Sequence, residues 1–205
     1  MKNIICYGDS NTFGYIPGSG KRYPKDIRWA GVLAGLLGQD YKVIEEGCNN
    51  RTGFVKNPDG KLFSGSDYID ECFIRHPEFD IFVLGLGTND TQKFFDIKPQ
   101  TIKDGLQNLV ERIKQQNERG QILIVSPLVL GTDVLKGGFA FQFNEVSVER
   151  THWIQKVYYD FCVENKIKLF DINKYVTPSP IDGLHFTPDD HKKIAVELSK
   201  IIIKM

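Results

Sequence analysis

The sequence predicts an α/β fold, a three-layer α/β/α doubly wound domain built on a five-stranded parallel sheet. Five short apolar segments alternate along the chain with segments of helical periodicity, which is typical of a parallel sheet covered by helices on both faces. The chain has 205 residues, a length that suits a single hydrophobic core. No repeat, low-complexity tract or Pro/Ser-rich linker divides it, so we expect one domain over residues 1–205.

The first half of the chain contains two predicted strands and two predicted helices. Residues 3–7 are an apolar run that ends in Gly-Asp-Ser, which indicates a buried strand followed by a turn. Residues 28–38 place Trp, Val and Leu side chains at helical spacing, and residues 41–45 predict the second strand. The sequence Asn-Pro-Asp-Gly at residues 57–60 predicts a polar loop, and residues 65–75 a helix.

The middle of the chain predicts a third strand, a long helix and a fourth strand. Residues 79–86 form a continuous apolar run, as expected for a strand buried on both faces. Pro99 suits the first turn of a helix that runs to about Glu118 with a regular apolar stripe. Residues 121–126 predict the fourth strand, which Pro127 ends.

The last third begins with residues 128–143, which are rich in Gly and Phe and lack clear periodicity. A long helix over residues 145–165, a short strand over 167–170 and a last helix over 188–204 complete the pattern. In doubly wound sheets ligands bind beyond the carboxyl ends of the strands, at the switch point. Polar motifs that directly follow a predicted strand are therefore the candidates for a functional site.

Composition excludes several classes of protein. Hydrophobic residues make up 41% and charged residues 25%, so a disordered or fibrous chain is excluded. The 26 basic and 26 acidic residues leave no net charge, which argues against a general nucleic-acid binder. The amino-terminal apolar run is too short for a signal peptide, and no apolar stretch is long enough for a membrane span. We expect no nucleic-acid or membrane partner.

Four cysteines lie far apart without a CxxC pair, which argues against a structural zinc site and a dense disulfide framework. Reduced thiols and the missing export signal predict a cytoplasmic protein. The four histidines are the natural candidates for acid–base chemistry at neutral pH.

The first polar motif is Gly8-Asp9-Ser10-Asn11, directly after the first strand. A serine on a tight turn between strand and helix can project its hydroxyl into a site, and the turn's N–H groups can bind an anion. The alternative is a purely structural one, a helix-capping turn, which Asp and Ser favour in any case. A phosphate-binding loop fits poorly, because the glycines that follow match neither GxxxxGK[ST] nor GxGxxG.

Two further motifs follow the second and third strands. Gly47 could bring a backbone N–H close to a developing oxyanion, or could be a turn glycine with positive φ. The segment from Gly85 to Asp90 contains Asn89, whose side-chain N–H beside a serine could complete an oxyanion hole. A plain turn is again the alternative, since Gly and Asn-Asp are usual in turns.

The fourth motif is Asp182-Gly183-Leu184-His185, before the last helix. A carboxylate three residues before a histidine can reach the imidazole Nδ1–H and fix the tautomer in which Nε2 accepts a serine proton. A lone histidine beside a turn dipeptide is more often structural. The competing histidines have weaker contexts: they are His76 before a proline, His152 inside a predicted helix, and His191 in the first turn of one.

Taken together, GDSN at 8–11, Gly47, GTND at 87–90 and DGLH at 182–185 are similar to the four blocks of the SGNH (GDSL-type) hydrolases, in order and spacing over nearly the whole chain. The stretches at 28–38, 43–47 and 86–91 resemble most the arylesterase and acyltransferase branch. Departures from the family pattern are Asn11, where many relatives carry Leu, and Glu46 before Gly47.

The resemblance implies a Ser-His-Asp triad, with Ser10 as nucleophile, His185 as general base and Asp182 as its orienting partner. It implies an oxyanion hole of the Ser10 and Gly47 backbone N–H groups and the Asn89 amide. No metal or organic cofactor is then required.

Substrate contacts are predicted less specifically. The candidates are Asn11, Gln92, Phe141, Phe143 and Leu184. Phe139 and Trp153 belong to the same aromatic-rich region, which could equally pack a satellite core or a subunit interface.

The expected activity is hydrolysis of short-chain acyl or aryl esters through an acyl-enzyme, with acyl transfer to alcohols as a possible second outcome. A carbohydrate O-acetylesterase or a thioesterase would use the same triad. Two alternatives belong to other classes: a flavodoxin-like module that binds a small ligand at the switch point, and an interaction protein with an inactive site. The partner we expect is a small-molecule ester, and the sequence leaves open whether the chain forms a homo-oligomer.

Overall fold

The computed structural model describes residues 1–56 and 64–205, and its five strands form one sheet in which every pair is parallel. The strands are β1 (Lys2–Gly8), β2 (Tyr41–Gly47), β3 (Ile81–Gly85), β4 (Gln121–Val125) and β5 (Lys168–Phe170). Their order across the sheet is β2-β1-β3-β4-β5, so the chain changes direction beside β1. The predicted parallel five-stranded sheet is confirmed.

The helices cover both faces of this sheet. They are α1 (Ser10–Phe13), α2 (Trp29–Leu37), α3 (Gly65–Arg75), α4 (Pro99–Gln116), α5 (Glu145–Asn165) and α6 (Pro188–Ile202). Successive residues of β1 point to opposite faces: Ile5 joins a core with α3, α4 and α5, whereas Ile4 and Cys6 join a core with α2 and α6. The three-layer arrangement is therefore confirmed.

Local sequence explains where the helices begin. Pro99 occupies the first turn of α4, where its missing N–H leaves no hydrogen bond unmade. Capping boxes start α5, through Asn144 and Ser147, and α6, through Thr187 and Asp190. These caps place the helix starts at the predicted positions. None of the helices in the described ranges is long and apolar enough to cross a membrane.

Several short helical turns of the structure are absent from the predicted elements. The single turn α1 follows β1 directly, and residues 128–143 contain a short 3₁₀ helix at Thr132–Leu135. Elements of four residues are too short to display a periodic pattern, which is why the sequence did not reveal them. The predicted loop at 57–60 lies outside the described residues.

Glycines end the three strands that meet at the switch point. Gly8 pairs in register with Gly47 on one side and Gly85 on the other. A side chain at Gly8 would collide with Thr12 of α1, and one at Gly47 would collide with the Phe13 backbone. The glycines thus let α1 lie directly on the strand ends, and this close approach positions Ser10.

Candidate active site

Ser10 is the first residue of α1 and is nearly buried, with 7% of its surface exposed. The Asp9 carboxylate caps this turn by accepting the Asn11 N–H at 2.9 Å. Burial raises the pKa of Asp9 to about 6, against the opposing effects of that hydrogen bond and of nearby His185. The capping turn that is the structural alternative to a functional serine is therefore present, and it holds the Ser10 hydroxyl at the end of β1.

The segment from Asp182 to His185 brings a carboxylate and an imidazole to this hydroxyl. Oδ1 of Asp182 accepts the backbone N–H groups of Leu184 and His185 at 3.1 and 3.0 Å. Oδ2 of Asp182 lies 2.8 Å from His185 Nδ1, and His185 Nε2 lies 2.9 Å from Ser10 Oγ. The sequence placed these three side chains together, and the structure joins them in one hydrogen-bond chain.

The Asp182 carboxylate is held in its ionised form. Burial alone would raise its pKa, but the hydrogen bond and charge of His185, together with two backbone N–H donors, outweigh burial and lower it. An ionised carboxylate on Nδ1 leaves Nε2 as the acceptor for the serine proton. The chain of groups can therefore carry a proton from Ser10 to the imidazole.

Two aromatic rings flank the imidazole. Tyr15 stacks on His185 with ring centroids 4.2 Å apart, and Phe139 lies at 5.2 Å in a tilted arrangement. Sequence reasoning left open whether the segment of Phe139 faces the site or packs elsewhere, and it missed Tyr15. No local signal marks Tyr15, because it meets His185 only through the fold.

Asn89 begins a short 3₁₀ helix after β3, Asn89–Thr91, and is buried. Its Nδ2 donates to the Arg51 carbonyl at 3.0 Å, and its Oδ1 accepts from Gln92 Nε2 at 3.1 Å. An amide nitrogen carries two protons, so one N–H remains for the cavity that Asn89 lines together with Ser10.

The structure places Gly47 outside that cavity. Gly47 lies beneath the Phe13 backbone, whereas Asn50, three residues later, lines the cavity with a φ of +62°. Asparagine tolerates this left-handed conformation better than most residues. Sequence reasoning missed Asn50 because a strand-end glycine is visible in sequence and a backbone φ is not.

The cavity beside Ser10 has a volume of about 230 Å³. Aromatic and amide side chains dominate its wall. The lining residues are Ser10, Tyr15, Asn49, Asn50, Asn89, Phe139, Phe141, Gln142, Leu184 and His185.

The predicted substrate-contact residues divide into two groups. Phe141 and Leu184 line the cavity. The other three do not: Asn11 donates to the Leu184 carbonyl at 3.2 Å, Gln92 is fully buried behind Asn89, and Phe143 packs in a small core. The polarity or size of these side chains suggests a contact with substrate. In the structure they point away from the cavity, and the sequence does not show side-chain direction.

The remaining histidines lie apart from this chain of groups. His76 contacts Glu46 at 2.8 Å, and His152 is exposed on α5. His191 is fully buried, and burial lowers its pKa to about 4. No group of three His, Cys, Asp or Glu residues in the described part of the chain is arranged to hold a metal ion.

Comparisons with known proteins agree with this geometry. A model of the GDSL-like lipase/acylhydrolase family matches residues 6–193. None of the curated protein sequences matches the chain.

Solved structures resemble the protein over its whole length. An aryl esterase from M. smegmatis is 30% identical with a TM-score of 0.91, the match covering 100% of this chain and 99% of that one. A carbohydrate acetylesterase from Sinorhizobium meliloti is 26% identical with a TM-score of 0.89, covering 100% and 99%. The match of motifs, fold and family model leads to one conclusion: the chain belongs to the GDSL-like lipase/acylhydrolase family and is a carboxylic ester hydrolase.

Proposed function

We propose that the protein hydrolyses short-chain acyl or aryl esters through an acyl-enzyme formed on Ser10, with His185 as general base and Asp182 as its orienting partner. The observation that carries the proposal is the continuous chain of hydrogen bonds at 2.9 Å from Ser10 Oγ to His185 Nε2 and 2.8 Å from His185 Nδ1 to Asp182 Oδ2. Nucleophile, base and orienting group within such distances are the signature of an activated serine.

The reaction has two halves, and in each half His185 first takes a proton and then gives it up. Ser10 Oγ attacks the ester carbonyl while His185 Nε2 takes its proton, and collapse of the tetrahedral intermediate releases the alcohol, which receives that proton. Water attacks the acyl-serine in the same way and releases the acid. An alcohol in place of water would give acyl transfer.

We assign the oxyanion hole to three N–H groups, those of Ser10 and Asn50 in the backbone and the second Nδ2 proton of Asn89. The hydrogen bonds of the described residues leave the Ser10 and Asn50 backbone N–H groups without a protein acceptor. All three residues line the same cavity. Asn50 replaces Gly47 in this assignment, because Gly47 lies beneath α1. Donors fixed before the reaction stabilise the oxyanion without reorganisation.

The cavity wall supports a small ester with an apolar or aromatic group. Tyr15, Phe139 and Phe141 offer ring faces and edges beside His185. A volume of about 230 Å³ favours short acyl chains. The similar M. smegmatis structure is that of an aryl esterase.

A second candidate substrate is an O-acetylated carbohydrate. The amide side chains of Asn49, Asn50 and Gln142 share the cavity with the aromatic rings, and amides beside ring faces suit the hydroxyl groups and apolar face of a sugar. The similar Sinorhizobium meliloti structure is that of a carbohydrate acetylesterase.

The first test replaces the nucleophile. We expect Ser10→Ala to abolish hydrolysis of p-nitrophenyl acetate while the circular dichroism spectrum stays native. Ser199→Ala is the matched control, since the Ser199 hydroxyl donates to the Val196 carbonyl within α6 and does not line the cavity. Undiminished turnover by Ser10→Ala would refute the proposal.

A substrate panel separates the two candidates. Hydrolysis rates for p-nitrophenyl esters of increasing acyl length would be compared with rates for acetylated sugars, with and without added alcohol. We expect a steep fall in kcat/KM beyond short acyl chains, because the cavity holds about 230 Å³. Higher kcat/KM on acetylated sugars would favour the carbohydrate ester.

We further propose that the protein works in a reducing, cytoplasmic compartment. All four cysteines are free in the structure, and Cys6, Cys72 and Cys162 are buried. Cell fractionation tests this directly, with the protein expected in the cytosolic fraction.

A further inference from the structure

Gln92 lies behind the proposed oxyanion hole and is fully buried. Its Nε2 donates to Asn89 Oδ1 at 3.1 Å and to Asn50 Oδ1 at 2.8 Å. We propose that Gln92 is a positioning residue that aims both oxyanion donors, Asn50 and Asn89, at the reacting carbonyl. This inference rests on the proposed function of the site.

A backbone carbonyl fixes the orientation of the three amides. The Arg51 carbonyl can only accept, so the Asn89 amide must turn Nδ2 toward it and Oδ1 toward Gln92. Gln92 must then donate from Nε2 to Asn89, and the group of Asn50 that faces Gln92 must be the acceptor Oδ1. If any one of the three amides were rotated by 180°, two acceptors or two donors would face each other.

The same contact holds the unusual backbone of Asn50. A φ of +62° costs energy for a residue with a Cβ, so the conformation persists only where contacts hold it. Gln92 Nε2 supplies the shorter of two side-chain contacts to Asn50 Oδ1, since Gln142 Nε2 donates from 3.4 Å. Through this contact Gln92 influences the direction of the Asn50 N–H.

Hydrogen bonds to the backbone at Gln92 and at the next residue fix the position of Gln92. Arg150 Nη1 donates to the Gln92 carbonyl at 3.0 Å, and the neighbouring Lys93 N–H donates to the Gln142 carbonyl at 2.9 Å. Its side-chain Oε1 is buried and finds no hydrogen-bond donor among the described residues. An unpaired buried acceptor disfavours the fold, so the two Nε2 contacts are the reason for an amide at this position.

The test replaces the donor and measures kcat and KM separately. Gln92→Met removes both Nε2 contacts at similar volume, and Gln92→Glu keeps the shape but replaces the two Nε2 protons by at most one carboxyl proton. For each we expect kcat on p-nitrophenyl acetate to fall roughly 10- to 100-fold with KM nearly unchanged, because a small misplacement of an oxyanion donor acts on the transition state. Reaction of Ser10 with a serine-directed phosphonate should slow in parallel.

A double-mutant comparison shows whether Gln92 acts through Asn89. We expect Asn89→Ala alone to lower kcat by ~10²–10³-fold. Adding Gln92→Met to that variant should lower kcat by a smaller factor than it does in the wild type, because one of the two donors that Gln92 aims is already gone.

The matched control is Gln155→Met, which removes a partly buried amide bonded to the Pro127 and Thr151 carbonyls away from the cavity. It should leave kcat within about twofold. Unchanged kcat in the Gln92 variants, a change confined to KM, or fully multiplicative effects with Asn89→Ala would overturn the inference.

Folding and the proposed function are checked separately. If Gln92→Met does not fold, the isosteric Gln92→Glu decides. If the wild type hydrolyses esters and Ser10→Ala does not, the proposed function stands. The Gln92 variants then test the positioning role alone.

Discussion

At the residue scale, one backbone dihedral angle sets the direction of the proposed oxyanion donor at Asn50. Its φ of +62° lets the chain turn sharply after β2, and its side chain is tied to Gln92 at 2.8 Å. Among the described residues the Asn50 N–H thereby has no acceptor, and it lies beside the cavity that Ser10 lines. At negative φ the Asn50 N–H would point in another direction. The proposed role of Asn50 as an oxyanion donor therefore depends on its backbone conformation.

This assignment predicts a rank order among variants of Asn50. Asn50→Gly keeps the left-handed conformation and loses the Oδ1 contacts with Gln92 and Gln142, so we expect kcat to fall no more than about tenfold. Asn50→Val strongly disfavours positive φ and should lower kcat by ~10²-fold or more, as loss of an oxyanion donor does. Steady-state kinetics of the two purified variants check the order, and equal kcat values would contradict it.

At the scale of elements, the segment that carries Asn50 is attached to its neighbours by Asp90. The buried carboxylate accepts the N–H groups of Gly53, Phe54 and Val55 at 2.6, 2.8 and 3.0 Å. Burial raises the pKa of Asp90, and these three hydrogen bonds oppose that rise. The loop after β2 is thus fastened to the loop after β3, and the two segments that carry the proposed oxyanion donors form one unit.

Helix α4 supports this unit from below through a glycine. A Cβ at Gly105 would lie 2.6 Å from Cβ of Phe54 and would collide with its ring. Gly105 therefore allows Phe54, and the loop that Asp90 holds, to pack directly on the helix.

Two glycine variants separate helix propensity from this packing. Gly35→Ala on the exposed side of α2 meets no neighbouring atom within 4 Å and should raise the free energy of unfolding by about 0.5–1 kcal/mol. Gly105→Ala should lower the free energy of unfolding by about 1–3 kcal/mol, the usual cost of overpacking, and should also lower kcat. Urea denaturation and steady-state kinetics check both, and a Gly105→Ala variant as stable as Gly35→Ala would refute the packing role.

On the scale of the whole molecule, His191 joins the two helices on one face of the sheet. Its Nδ1 accepts the Trp29 N–H at the start of α2 from a distance of 3.2 Å, while His191 itself belongs to α6. Burial lowers its pKa from 6.5 to about 4; Asp190 opposes this, and the charges of His185 and Arg28 add to it. The folded state therefore requires a neutral imidazole, and protonation favours unfolding.

The stability of the molecule should consequently fall as pH drops from 6.5 toward 4. The shift corresponds to a loss of up to about 3 kcal/mol at the lower pH. Asp9 acts in the opposite direction, because a carboxylate whose pKa is raised to about 6 favours the folded state at low pH. The wild type must therefore be compared with a variant that keeps Asp9.

That variant is His191→Asn, whose Oδ1 can still accept the Trp29 N–H. We expect a lower overall stability but a smaller fall in the free energy of unfolding between pH 6.5 and 4.5 than in the wild type. Esterase activity at neutral pH should remain, because His191 is not one of the residues that line the cavity beside Ser10. Parallel pH dependence in both proteins would contradict the role of His191.

The sequence by itself determined the fold class and the neighbourhood of the site. Apolar runs and helical stripes reveal strands and helices, because each pattern reports burial of one local face. The carboxyl ends of parallel strands share one edge of a sheet, so motifs after those strands had to meet. That reasoning brought together Ser10, Asn89, Asp182 and His185, which the structure places in one site.

The tertiary structure alone decided how the groups are aimed. Tyr15 stacks on His185, Asn50 rather than Gly47 lines the cavity, and Gln92 lies behind Asn89. These contacts join residues far apart in the chain and depend on backbone angles and side-chain directions. Local periodicity carries no information on either, since both are set by packing between distant segments.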